Sequence, residues 1–138
     1  MVRLMRQQFE KDIRSLDAVF AFLRSFAEQE RIDRQSSYVI DLAVEEFFTN
    51  IVKYGRGTGN EILLDAVRDG NTVTVRLEEE TSVPFDVTRP TKTQFDVPFE
   101  DRKPGGLGIH IAREMLDGLS YDYVDGTSRI TLTKILER

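Results

Sequence analysis

The chain has 138 residues, 40% of them hydrophobic and 31% charged, with a formal net charge of −5 and no cysteine. That length carries one core but not two, and the acidic balance counts against a nucleic-acid surface, which rewards Lys and Arg. The missing cysteines rule out disulfides and thiolate metal sites. No stretch is apolar enough to span a bilayer and MVRLMRQQFEKD lacks a signal-peptide core, so a cytoplasmic protein without membrane attachment is expected.

VRLMRQQFE alternates weakly and predicts a first strand. From Ile13 the period changes: Ile13, Leu16, Val19, Phe20, Leu23 and Phe26 recur at helical spacing, with Asp12 as a cap and an end near Glu30. A second helix is expected from Arg34 to Tyr54, stopped by Gly55 and Gly57. The period then drops to two. NEILLDAVRDGNTVTVRLEEE predicts a hairpin about Asp69-Gly70-Asn71, with Val73, Val75 and Leu77 on one face. Residues 81–104 hold all four prolines and predict a long irregular segment, a feature that is often functional. GGLGIHIAREMLDGL predicts a glycine loop running into a helix, and SYDYVDGTSRITLTKIL a second hairpin about Asp125-Gly126. The expected architecture is a single-domain α/β (α+β type) two-layer sandwich, with helices on one face of a mixed, mostly antiparallel sheet.

The second helix carries the first chemical signal, in LAVEEFFTNIVKYGRG. At about 100° per residue, Ile40, Ala43, Val44, Phe47, Phe48 and Ile51 form one apolar arc, and Asp41 and Glu45 fall toward water. Glu46 and Asn50 stack four apart at the margin of that arc, with Lys53 beyond them. An amide oxygen there suits a hard cation such as Mg²⁺, and a carboxylate suits proton abstraction. The same pair also fits a plain side-chain hydrogen bond or a loop cap.

RKPGGLGIHIAREM carries the second. Gly105, Gly106 and Gly108 before a helix leave amides free to meet a phosphate, or simply permit tight packing. The loop has neither the P-loop nor the dinucleotide-fingerprint spacing. His110, the only histidine, reads as structural or pocket-lining rather than catalytic. Arg102 and Arg113 either reach phosphates or lie on the surface.

Together these segments resemble the anti-sigma-factor serine/threonine kinases of bacteria, within the histidine-kinase-like ATPase superfamily. LAVEEFFTNIVKYG looks like that family's N box and RKPGGLGIHIAREMLD like its second glycine box. The resemblance implies the Bergerat ATPase fold, Glu46 as base and Asn50 as the Mg²⁺ ligand. It implies ATP contacts at Asn50, Lys53, Arg102, Gly105, Gly106, Leu107 and Gly108. GTSRITLTK resembles the terminal segment, placing Thr127 or Ser128 near adenine. The first glycine box, Asp-x-Gly shortly before Pro-Phe-Asp, is altered here to LEEETSVPFDV. Counting back from Pro84 sets Glu80 in the aspartate's place and Ser82 in the glycine's. The implied activity is transfer of the ATP γ-phosphoryl group to a serine of a small antagonist protein. A sigma factor or similar regulator is the implied second partner, with a homodimer possible. The other reading is a non-catalytic interaction module with a degenerate nucleotide site.

Overall fold

A computed structural model describes residues 2–55, 59–84, 86 and 113–136. The elements are β1 (Leu4–Glu10), a 3₁₀ turn (Ile13–Ser15), α1 (Leu16–Gln29), α2 (Arg34–Tyr54), β2 (Glu61–Asp69), β3 (Thr72–Glu80), β4 (Gly118–Val124) and β5 (Thr127–Ile135). The strands form one sheet in the order β1-β2-β3-β5-β4. Every described pairing is antiparallel, so the mixed sheet that was expected is antiparallel throughout these residues.

Turn chemistry sets both hairpins. Gly70 has φ 62° at the first turn, where Asp69 pairs with Thr72. Asp125 and Gly126, at φ 52° and 79°, both adopt the left-handed conformation that a two-residue type I′ turn requires. Asp33 starts α2 by accepting from the Ser36 amide at 3.0 Å. Asp12 caps the 3₁₀ turn ahead of α1, not α1 itself. Of the glycine loop and helix expected over 105–119, only the last part is described: residues 113–115 are helical and β4 begins at Gly118.

The core lies between the helices and one face of the sheet. Phe47, Phe48, Val44 and Ala43 of α2 and Phe26, Leu23 and Val19 of α1 pack on Ile62, Leu64, Val75, Leu77 and Leu132. Phe9 joins the layers, meeting Phe22 and Phe48 edge-on at centroid distances of 6.0 and 6.5 Å. Edge-to-face rings add a directional term to the area they bury. Phe48 is fully buried. Phe48→Ala is expected to cost about 3–5 kcal/mol, read as a lower urea midpoint at unchanged m-value.

The opposite face of the sheet is polar. Arg6, Asp65 and Arg76 lie in one register row, and Arg129 Nε meets Glu78 Oε1 at 2.9 Å in the next. This two-sided pattern fixes which residues of β3 can take part in a site beneath α2, because strand side chains alternate faces.

Candidate functional site

α2 presents a continuous stripe to the sheet, and Ile51 and Gly55 end it. Below them lies a small cavity, completed by Leu77 and Glu79 of β3, Ser128 and Ile130 of β5, and Tyr121 of β4. Its walls are mainly apolar. Its polar lining residues are Glu79, Tyr121 and Ser128, and the Tyr121 and Ser128 hydroxyls are hydrogen-bonded to each other at 3.0 Å. The enclosed space is about 10 Å³, room for one water among these residues.

Gly55 is required by space. It closes α2 in an extended conformation, φ −68° and ψ 122°, and a Cβ there would fall 2.5 Å from the Ile51 carbonyl oxygen. It therefore acts through close approach and not through the left-handed cap that helix-ending glycines often supply.

Glu46 and Asn50 are both half-buried on the helix that roofs this cavity. Each directly precedes a residue of the buried stripe, Phe47 and Ile51 respectively, so they sit side by side at its margin. The Glu46 carboxyl is raised to about 7, chiefly by burial and then by the neighbouring Glu45 charge, with Lys53 opposing both. A carboxyl held near neutrality is matched to proton transfer at physiological pH. Lys53 itself is exposed.

Asp41 and Glu45 differ from expectation. Neither is fully exposed. Asp41 lines a groove between the helices with Phe20, Arg24, Ala27 and Ile32, and burial raises it to about 6 against the opposing charge of Arg24. The apolar arc of α2 shows where the sheet lies, but it carries no record of α1 crossing the helix's other flank.

The residues of the altered glycine box fall on both faces of the sheet. Glu80 is exposed and lines a depression on the polar face of the sheet with Gln8, Glu78 and Thr127. Glu79 is the acid that faces α2, at 6% exposure. It continues the inward series Val73, Val75, Leu77, as the period-two alternation of the strand requires. Thr81, two residues on, is buried as well. Its amide bonds the Gly126 carbonyl at 2.8 Å, and its own carbonyl accepts from Tyr123 Oη at 2.8 Å. Ser82 is exposed beyond it. β5 shows the same division: Ser128 lines the cavity and Thr127 lies with Glu80 on the other face. The structure thus brings Glu79 and Ser128 together beneath α2 and separates Glu80 and Thr127 from them. Arg102, Gly105, Gly106, Leu107, Gly108 and His110 lie outside the described residues. Arg113 is described and half-buried.

A helix bearing Glu46 and Asn50 thus lies over an antiparallel sheet, with Glu79 on the sheet face beneath it. The chain belongs to the histidine kinase-like ATPase domain family, which it matches over residues 9–134. Among characterised relatives it is similar to the serine/threonine-protein kinase BtrW of Bordetella bronchiseptica, at 25% identity over 118 residues, covering 85% of this chain and 82% of that one. Its fold is similar to the RsbU and RsbW domains of Rv1364c from Mycobacterium tuberculosis, with TM-score 0.69, 19% identity, and coverage of 99% of this chain and 33% of that one. It also resembles the histidine kinase AdeS of Acinetobacter baumannii, with TM-score 0.52, 14% identity, and coverage of 99% of this chain and 70% of that one. The chain spans about a third of the length of the solved mycobacterial chain. No helix among the described residues is long and apolar enough to cross a membrane.

Proposed function

We propose that this chain is an ATP-dependent protein-serine kinase of the anti-sigma-factor type, acting on a small antagonist protein. The observation that carries the reading is Glu46, a half-buried acid raised to about 7, beside Asn50 on the helix that roofs the cavity. Kinship with the kinase BtrW supports the reaction class.

Glu46 accepts the proton of the substrate serine as its oxygen bonds to the γ-phosphorus and the bond to the β-bridging oxygen breaks, releasing ADP. Asn50 offers one neutral oxygen. That suits Mg²⁺, which binds few protein groups and takes its other ligands from phosphates and water. Mg²⁺ held there would neutralise charge on the phosphates. Glu79 takes the place given to Glu80 by the sequence. A carboxylate accepts from an exocyclic amino group such as that of adenine. With Glu79 in the aspartate's position, Thr81 and not Ser82 stands two residues on, in the glycine's. A sigma factor or similar regulator is the second partner this reading implies.

Titration calorimetry with Mg-ATP, paired with a phosphorylation assay on a candidate antagonist, tests it. Micromolar binding and transfer to serine are expected. Asn50→Ala should weaken ATP binding in the presence of Mg²⁺ by about tenfold or more while leaving metal-free binding nearly unchanged, because it deletes only the metal's oxygen. Absence of both binding and transfer would leave the alternative, an interaction module that keeps the fold without the chemistry.

A further inference from the structure

The groove between α1 and α2 has no part in the phosphoryl site. Asp41 lines it and stands nine residues before Asn50, about 13 Å back along α2. The groove holds about 480 Å³, within the range of small-ligand pockets. Phe20 and Ala27 of α1 and Ile32 of the connecting turn give it an apolar lining, and all three are half-buried.

Charges of both signs line the groove and stay apart. Asp41 is half-buried, yet it makes no hydrogen bond and no ion pair among the described residues. Arg24 of α1 is near enough for its charge to favour the ionised carboxyl, but the two are not paired. Arg31 lies in the turn before α2 and Asp41 two turns inside that helix, so their backbones stand about 10 Å apart along it. Glu28 is exposed on α1 between the two arginines.

Arg31 is held in an unusual way. Its φ is 55°, a left-handed conformation that glycine ordinarily supplies after a helix, because a Cβ crowds the following carbonyl. The turn is tied down nonetheless. The Ile32 amide donates to the Ala27 carbonyl at 2.9 Å, and Arg68 of β2 donates to the carbonyls of Glu30 and Arg31. A glycine would ease this backbone, whereas the arginine adds a guanidinium to the groove.

A ligand that meets both Asp41 and Arg31 needs a cation, an anion and an apolar body between them. A single amino acid carries both charges on one carbon and is too short. A chain of two or three residues spans roughly 7–10 Å. We propose that the groove binds a short apolar peptide with free ends, its ammonium against Asp41, its carboxylate against Arg31 and its side chains on Phe20, Ala27 and Ile32. Both ends then make charge-assisted hydrogen bonds, the carboxylate in the fork of the guanidinium. The proposal does not depend on the nucleotide reading.

The test is an NMR titration of the full chain with L-leucyl-L-leucine. Wild type should bind it with a Kd of about 1 mM or tighter, with shifts confined to α1, α2 and the turn between them. N-acetyl-leucyl-leucine lacks the ammonium and leucyl-leucinamide the carboxylate. Each should bind wild type about tenfold or more weakly, the loss for a hydrogen bond to a charged group. Asp41→Asn should weaken the free peptide by the same factor and leave the acetylated form unchanged, and Arg31→Gly should act in the same way toward the amide. Arg31→Gly also relaxes the left-handed backbone. Its urea midpoint should therefore hold or rise while affinity falls, a result that loss of fold cannot produce. No binding by wild type at about 10 mM peptide overturns the proposal. So does binding that ignores both substitutions. If leucyl-leucine blocked at both ends binds as tightly as the free peptide, the groove takes an apolar partner segment instead and the proposal falls.

Discussion

Glu46→Gln is expected to reduce phosphorylation of the protein substrate by about 10² or more while Mg-ATP still binds, since the amide keeps the size of the side chain but cannot take a proton. In wild type the rate should rise with pH through about 7, because the raised carboxyl is active as a base only when ionised. Stability has the opposite dependence. A carboxyl raised from 4.5 to about 7 on folding binds its proton more tightly in the native state. Stability is therefore fuller below the unfolded value and declines as pH rises across that window. Glu46→Gln should remove the part of this decline that centres highest in pH, leaving that of Asp41, and make the domain more resistant to urea at pH 8 than wild type. Loss of activity together with a gain in stability is the signature of an acid held for chemistry, and a variant that merely misfolds cannot produce it. Glu45→Gln provides the comparison. Glu45 contributes a like charge that raises Glu46, so its removal should shift the rising limb to lower pH and leave the plateau rate nearly unchanged. Equal phosphotransfer rates for wild type and Glu46→Gln would end the assignment.

Elements with a strong period were legible in the sequence. The bounds of α2 agree with its reading, since Asp33 and Gly55 bracket an unbroken apolar stripe. Both hairpins follow from alternation and from turns that demand positive φ at Gly70, Asp125 and Gly126. The pairing of Glu46 with Asn50 followed from helical spacing alone. The order in which the strands sit side by side was not legible, because β3 pairs with β5 across a long intervening segment and no local signal records that choice. Half-burial of Asp41 was hidden for a similar reason, since α1 covers it from outside its own helix. Lys11 was invisible. A lysine after a strand reads as solvated surface until Glu79 and the Gly55 carbonyl are brought to it from positions far along the chain.

The choice between Glu79 and Glu80 leads to the sharpest contrast between neighbours. Three consecutive glutamates end β3, and motif spacing favours the third while the strand's phase favours the second. Phase is the stronger guide, because a shift by one residue moves a side chain to the other face of the sheet. Glu79→Gln is therefore expected to lower ATP affinity by about 10- to 100-fold, as an acceptor-only group gives way to an amide that turns a donor toward the base's own donor. It should also cost about 3–5 kcal/mol of stability, the range for breaking one side of a buried ion pair, because the Lys11 ammonium then remains enclosed without its counter-charge. Glu80→Gln acts on an exposed side chain across the sheet from the cavity. It should change stability by no more than about 0.5 kcal/mol and ATP affinity by less than about twofold. Calorimetry and urea unfolding on the two variants measure both quantities. If Glu80→Gln abolishes nucleotide binding while Glu79→Gln spares it, the base is read from the other face of the strand, and the cavity beneath α2 is not the nucleotide site.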